Sequence, residues 1–419
     1  MKGNFGDILV GHINFCQICS SNNLQQVVSM GFFAPCDSLL TGEMLKQSEK
    51  TYPLNLVRCR ECGLVQIDYA VDAGELFYPE YPYRSGITET LRKNLHNISS
   101  HMVEKTGLAR GSLVIDIGSN DGTILEGFRS NGMRVLGVEP TNIADIANSK
   151  GIETIKNFFT ADIATGIVDK HGKAVVVTAA NVFAHVNDLY GLMEGVHSLL
   201  DDNGVFVTES HYQLDILETL QYDSIYHEHL RYYLLKPLIR LFNDYNFTLV
   251  DVERIPNYGG SIRVYARKGI NHKVSDEVYK LIALEEKTGA YTDAAYEEFC
   301  TRVEASRRSI RSLIIKLNDE GKKVVGIGCP GRSATLLTYC GITPDLLPYI
   351  AEQSTSLKLG MFTPGTHIPV TDEAIMLKEQ PDYALILSWH YAGPIIKNIR
   401  SKGLKSKIIV PLPDIAIIE

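Results

Sequence analysis

Residues 112–132 read SLVIDIGSNDGTILEGFRSNG. The run from Leu113 to Ile117 is too short for a helix. It stops at a turn of Gly, Ser, Asn and Asp, and a helical pattern follows, so it reads as a buried strand feeding a helix. Working outward, "MRVLGVEP" is the next strand, ending on Glu139, and "AVVVTAANVFAHV" and "GVFVTES" are two more. "FTLVDVERI" and "GSIRVYARKG" then follow with no room for a helix between them. Parallel strands that alternate with helices and finish in a hairpin predict an α/β fold: a doubly wound sheet with an antiparallel strand at one edge.

The turn itself, Asp116-Ile117-Gly118-Ser119-Asn120-Asp121-Gly122, is not the G-x-G-x-x-G of a dinucleotide site. Its D-x-G-x-x-x-G spacing suits the loop that holds S-adenosylmethionine in class I methyltransferases. Gly118 and Gly122 let the backbone approach the amino-acid part of such a ligand. Asp116 can take its ammonium, and Asn120 and Asp121 complete the turn. Glu139, at the end of the following strand, is placed for two ribose hydroxyls. Asn181, opening "NVFAHV", joins the expected cofactor set.

A second α/β unit begins at "KKVVGIGCPGRSATLLTYCG" and continues through "LLPYIAE", "DYALILSW" and "KIIVPLP". Here Gly326-Ile327-Gly328-Cys329-Pro330-Gly331 does match G-x-G-x-x-G, with Glu352 as a candidate ribose acid. Three readings stand: an NAD site, a diphosphate site for a sugar nucleotide, or a glycine turn needed only for packing. A helix N-terminus with an arginine suits any diphosphate. The candidate substrate-binding residues are therefore Gly328, Gly331, Arg332 and Ser333. Residues 275–319, charged and helical in period, read as the connector between the two units.

Of the eight cysteines, Cys16 and Cys19 form one C-x-x-C and Cys59 and Cys62 another. Two such pairs predict one tetrahedral Zn²⁺ with four thiolates, a closed and structural site. The 419 residues are 45% hydrophobic and 21% charged, with a net charge of −8. There is material for several domains. No basic run suggests a nucleic-acid partner. The N-terminal residues lack the apolar core of a signal peptide, and no run is long enough to span a bilayer. A cytoplasmic protein is expected, monomeric or weakly homo-oligomeric.

"SIYHEHLRYY", residues 224–233, packs two histidines around one glutamate between tyrosines. It lacks the H-E-x-x-H spacing that sets two histidines on one helical face, so a metal reading is weak.

The pieces "CQIC", "CREC", "YPYRSG", "VIDIGSNDG", "GVEP", "NVFAHV", "YHEH", "GGSIRVYARKG", "CPGRSATLLTYCGI" and "PGTHIPV" occur in one order. In that order the chain resembles, over nearly its whole length, the nucleotide-diphospho-hexose C-methyltransferases of deoxysugar biosynthesis. The resemblance implies a zinc-binding module (1–72), a methyltransferase domain (73–270), and a connector with a second Rossmann-like domain (271–419). It implies methylation at C-3 of a nucleotide-linked 4-ketohexose, with dTDP ahead of GDP or CDP. It places Tyr226, Glu228, His229 and His185 in the sugar pocket, together with Tyr81 or Tyr83. Arg332 stands where the family usually has a lysine.

That chemistry needs such a cluster. A carbon beside a ketone is methylated through an enolate, which requires a base and oxyanion donors. His229 is the expected base, Glu228 its support, and Tyr226 and His185 the donors. Three alternatives compete: an NAD-dependent nucleotide-sugar dehydrogenase, an O- or N-methyltransferase, and a partner-binding zinc protein. The second unit lacks a Tyr-x-x-x-Lys pair, against the first. Proximity alone often serves O- or N-transfer, and the third leaves the Gly118 turn unexplained.

Overall fold

The computed structural model describes residues 10–78, residue 86 and residues 89–419. Tyr81 and Tyr83 lie outside the described residues. The stretch from Ser112 folds as read: strand Leu113–Ile117, a turn, and helix Thr123–Ser130. The strand sits inside a seven-stranded sheet. From one edge the order is Thr154–Ile155, Arg134–Val138, Leu113–Ile117, Ala174–Ala180, Leu200–His211, Ser261–Lys268 and Phe247–Ile255. Counted in chain order this is 3-2-1-4-5-7-6. The first five strands run parallel, and Ser261–Lys268 is antiparallel to both its neighbours. The order in which strands are added reverses at Leu113–Ile117, and ligands of open α/β sheets bind beyond the carboxyl ends of strands at such a switch point.

A six-stranded sheet is built the same way, in the order Val370–Asp372, Ile350–Glu352, Val324–Ile327, Tyr383–Ile386, Lys407–Val410 and Ala416–Ile418. Its last strand is antiparallel. Three of these strands lie in the apolar runs noted after the second glycine turn. Val370–Asp372 and Ala416–Ile418, three residues each, lie outside those runs and were not read from the sequence.

The cysteine-bearing residues form a four-stranded sheet in which the outermost strand is foreign. Leu24–Phe33, Tyr52–Cys59 and Val65–Ile67 pair in sequence, and Arg231–Tyr232, from "SIYHEHLRYY", completes the edge. Helices Asp276–Lys287 and Asp293–Asp319 form the expected connector. The second of these receives Arg58 of the small sheet, which ion-pairs with Asp293. The bridge between Leu40 and Phe362 joins the small sheet's chain to the second α/β unit. Most of the buried apolar residues from all three parts form one continuous core. Among the described residues no helix is long and apolar enough to cross a membrane.

Candidate active site

Cys16, Cys19, Cys59 and Cys62 bring their sulfurs within 4.8 Å of one another. Cys16 Sγ lies 3.4 Å from Cys62 Sγ, and Cys19 Sγ 3.5 Å from Cys59 Sγ. Four sulfurs at about 2.3 Å from one tetrahedral ion stand roughly 3.8 Å apart, so the donor set fits Zn²⁺ with little rearrangement. Each pair sits on a tight turn, closed by Ser20 N–H to the Cys16 carbonyl and Gly63 N–H to the Cys59 carbonyl, both at 2.9 Å.

At the carboxyl end of Leu113–Ile117, Gly118 has φ +67°, and a Cβ there would come within 2.3 Å of the Val182 side chain. Both demands exclude other residues. Glu139 closes the turn from the next strand. Its Oε2 accepts from the Asn120 N–H at 3.1 Å, and its Oε1 from the Thr141 N–H at 3.0 Å. Asp121 grips the helix start, accepting from the Thr123 hydroxyl at 2.6 Å, and also accepts from the Gly86 N–H at 3.2 Å. Asp116 is buried, with the Thr178 hydroxyl donating to it at 2.5 Å. Burial pushes its carboxyl up to about 7. Asn181 has a left-handed backbone (φ +55°), and its Oδ1 is buried without a hydrogen-bond partner among the described residues. An orphaned acceptor and a buried acid at one strand-end crevice suit a ligand that carries an ammonium and polar oxygens. The crevice thus fits S-adenosylmethionine.

The histidines gather across the same edge. The Leu230 N–H donates to the Ala184 carbonyl at 3.0 Å, and Arg231 reaches the Val186 carbonyl. These bonds draw residues 226–231 onto the loop after Ala174–Ala180. The His229 ring is then 4.8 Å, centroid to centroid, from His185 and 4.0 Å from Tyr226. His229 Nδ1 faces the Ser224 carbonyl at 2.9 Å. A carbonyl accepts only, so Nδ1 carries the hydrogen and Nε2 is left as an acceptor. Burial, reinforced by His211 and His185, holds His229 well below the usual imidazole range, hence neutral.

The hydrogen-bond partner of His229 Nδ1 is thus the Ser224 carbonyl and not Glu228. Glu228 instead accepts from Cys36 Sγ at 3.5 Å. His227 faces the small sheet, with Nε2 3.1 Å from the Pro53 carbonyl. Sequence reasoning missed His211. It is the last residue of Leu200–His211, and its ring is 4.6 Å from that of His229. A strand-end position was the one signal that could have found it.

The second glycine turn differs from its expectation. Arg332 is buried, and its Nη2 donates to Asp223 Oδ1 at 2.8 Å and Gln221 Oε1 at 3.1 Å. Its Nη1 reaches the Tyr258 carbonyl at 3.2 Å. The guanidinium expected to clamp a diphosphate is thus committed to the segment that leads into Tyr226. The Ser333 hydroxyl turns back to the Pro330 carbonyl at 2.6 Å. The cation at this turn is Lys358, absent from the sequence reading. Its Nζ meets the Cys329 carbonyl at 2.8 Å and Asp37 Oδ1 at 3.2 Å. Gly328 (φ +79°) and Glu352 line a cleft of about 120 Å³ beyond the strands Val324–Ile327 and Ile350–Glu352. Gly331 lies against Cys36 and Asp37, where a Cβ would come within 2.9 Å of Asp37 Oδ2.

Comparison with known proteins follows the same divisions. Residues 16–77 match a family model described as a zinc binding domain, residues 83–252 a methyltransferase domain, and residues 256–413 a C-methyltransferase C-terminal domain. The chain is 34% identical to the C-methyltransferase NovU of Streptomyces niveus over 414 residues, 98% of each chain. Among solved structures it is similar to magnesium protoporphyrin IX methyltransferase of Synechocystis PCC 6803 with bound S-adenosylhomocysteine. That match has 15% identity, covers 45% of this chain and 90% of that one, and has a TM-score of 0.34. The 1,6-didemethyltoxoflavin-N1-methyltransferase of Burkholderia thailandensis matches at 16% identity, over 50% and 96% of the two chains, with a TM-score of 0.35.

Proposed function

The chain belongs to the S-adenosylmethionine-dependent C-methyltransferase family, and we propose that its acceptor is the carbon beside the ketone, C-3, of a nucleotide-diphospho-4-ketohexose. The observation that carries the reading is the state of His229: a neutral imidazole with its hydrogen fixed on Nδ1 by Ser224 and no hydrogen-bond partner at Nε2 among the described residues. That is the form a base must have before it removes a proton.

In this reading S-adenosylmethionine, held by Asp116, Gly118, Asn120, Asp121, Gly122, Glu139 and Asn181, supplies an electrophilic methyl group when bound. His229 Nε2 takes the proton from C-3. The enolate formed beside it favours the imidazolium and so offsets the low basicity that burial imposes. Tyr226 and His185 hydrogen-bond the enolate oxygen. Glu228 braces the loop through Cys36. The sugar nucleotide's diphosphate lies at Gly328–Gly331 near Ser333, with Lys358 as its cation, and dTDP is the first nucleotide to try. Domain limits of 1–72, 73–270 and 271–419 go with this reading.

The test is direct. Purified protein is incubated with S-adenosylmethionine and a panel of dTDP-, GDP- and CDP-4-ketohexoses. A gain of one methyl mass on a sugar nucleotide, with S-adenosylhomocysteine formed, is the expected outcome. Methylation confined to oxygen or nitrogen would overturn the reading.

A further inference from the structure

We infer that His211 is a further catalytic residue, whose ring N–H donates to the substrate's ketone oxygen and holds the enolate that forms there. The inference rests on the 4-ketohexose reading above and adds to it a donor that neither sequence pattern nor resemblance indicated.

Its placement is rigid. His211 ends the central strand Leu200–His211, with its backbone paired to Ser261 on the antiparallel side. Two residues earlier, Glu209 is paired to Ala180 on the parallel side and ion-paired to Arg263 at 2.8 Å, both side chains being buried. The strand end therefore holds the ring at the carboxyl edge of the sheet, the side where the cofactor crevice also opens. Around it stand His229 at 4.6 Å and Tyr258 at 6.2 Å, ring centroid to centroid.

The hydrogen bonding divides the labour between the two rings. His229 spends its N–H on the Ser224 carbonyl, so toward a substrate it can only accept. His227 and His272 likewise each spend a nitrogen on a backbone carbonyl. His211 has no hydrogen-bond partner at either ring nitrogen among the described residues, and its side chain is half-buried. A neutral imidazole always carries one N–H, and here that donor is left for a ligand. Burial, and then the Arg332 guanidinium, depress its pKa to about 3, so the ring is neutral. A neutral imidazole can polarise a ketone without giving up its proton, which suits stabilisation of an enolate.

The step balances. The C-3–H bond breaks and the proton goes to His229 Nε2. The electron pair forms a C=C bond while the carbonyl π pair moves onto oxygen, where His211 holds it. The carbon then takes the methyl group as the carbonyl reforms. The electron pair of the broken S–C bond stays on sulfur, and His229 later returns its proton to water.

The experiment follows exchange of the C-3 proton in deuterated water. It uses the full chain, a dTDP-4-keto-6-deoxyhexose and S-adenosylhomocysteine in place of the methyl donor. His211→Ala is expected to slow exchange and kcat by about a hundredfold, the scale of one lost oxyanion donor. KM, S-adenosylmethionine affinity and melting temperature should hold. His211→Asn, which keeps an N–H donor, should recover roughly tenfold of the loss. Exchange by His211→Ala close to the wild-type rate, or a defect in KM alone, would overturn the inference and leave the substrate reading intact. If His211→Ala does not fold, an Asn variant as slow as a His211→Leu variant of wild-type stability overturns it instead. No exchange by the wild-type protein on any 4-ketohexose overturns the substrate reading and this inference with it.

Discussion

Arg332 and Asp223 form a buried ion pair, with Nη2 and Oδ1 2.8 Å apart and side chains 7% and 0% exposed. The pair ties helix Gly331–Cys340 of the second α/β unit to the segment that leads into His229. Asp223 is also held by Trp389 Nε1 at 2.8 Å. Arg332→Ala strands a buried carboxylate, a loss of about 3–5 kcal/mol. It should lower the melting temperature, and the double variant with Asp223→Ala should lose less than the sum of the two singles. Denaturant titration of the four proteins checks this. A variant that melts normally and only raises the sugar-nucleotide KM would return Arg332 to a phosphate-binding role.

Zinc should be present at about one equivalent per chain in protein purified without chelator, as four thiolates in one cluster require. Cys59→Ser should lose the metal and lower the melting temperature by roughly 5–10 °C. Elemental analysis beside a thermal melt decides the matter. Metal-free protein of full stability would sink the claim.

Cofactor affinity should depend on pH through Asp116. Its pKa is raised to about 7, so below that value the carboxyl is protonated and offers an ammonium no charge. S-adenosylmethionine binding should therefore weaken as pH falls from 7 to 5, by at most about tenfold per unit. Calorimetric titration of wild type and Asp116→Asn would show a sloping and a flat profile respectively. The folded-state effect runs the other way. A raised carboxyl pKa gives stability that is fullest below the unfolded value near 4 and is lost as pH rises toward 7.

His229→Ala should lose activity by about a hundred- to ten-thousandfold while both ligands still bind. It should also lose exchange of the substrate's C-3 proton with deuterated water. Undiminished exchange in this variant would move the base to His185 or Tyr226.

What could be read from the sequence was whatever lies within a few residues of itself. The two C-x-x-C pairs and the Gly118 turn were legible because adjacent residues carry both the conformation and the chemistry. The doubly wound class followed from alternation and from the helix-free gap before Ser261, but the antiparallel strand expected at the edge lies one strand in from it, between Leu200–His211 and Phe247–Ile255. Residues joined only by topology were not legible. Only its place just after the strand read in "GVFVTES" marks His211, which becomes a neighbour of His229 when Leu200–His211 takes its place in the sheet. Lys358 reaches the Cys329 carbonyl from the loop after Ile350–Glu352. Arg332, beside a glycine fingerprint, looked like a phosphate ligand because its partner Asp223 lies 109 positions away.

The strand Arg231–Tyr232 belongs by chain to the methyltransferase half and by hydrogen bonding to the cysteine sheet, through Gln66 and Val65. Grafting therefore cannot treat the first 78 residues as a cassette. Cut away, they would leave the Val65–Ile67 edge unpaired and free to join another chain. Moved into a relative, they would meet a foreign 231–232 segment and shift the histidine loop that directly precedes it. Recombination that preserves activity should carry residues 224–233 along with the metal-binding turns, although more than 150 positions of chain separate them.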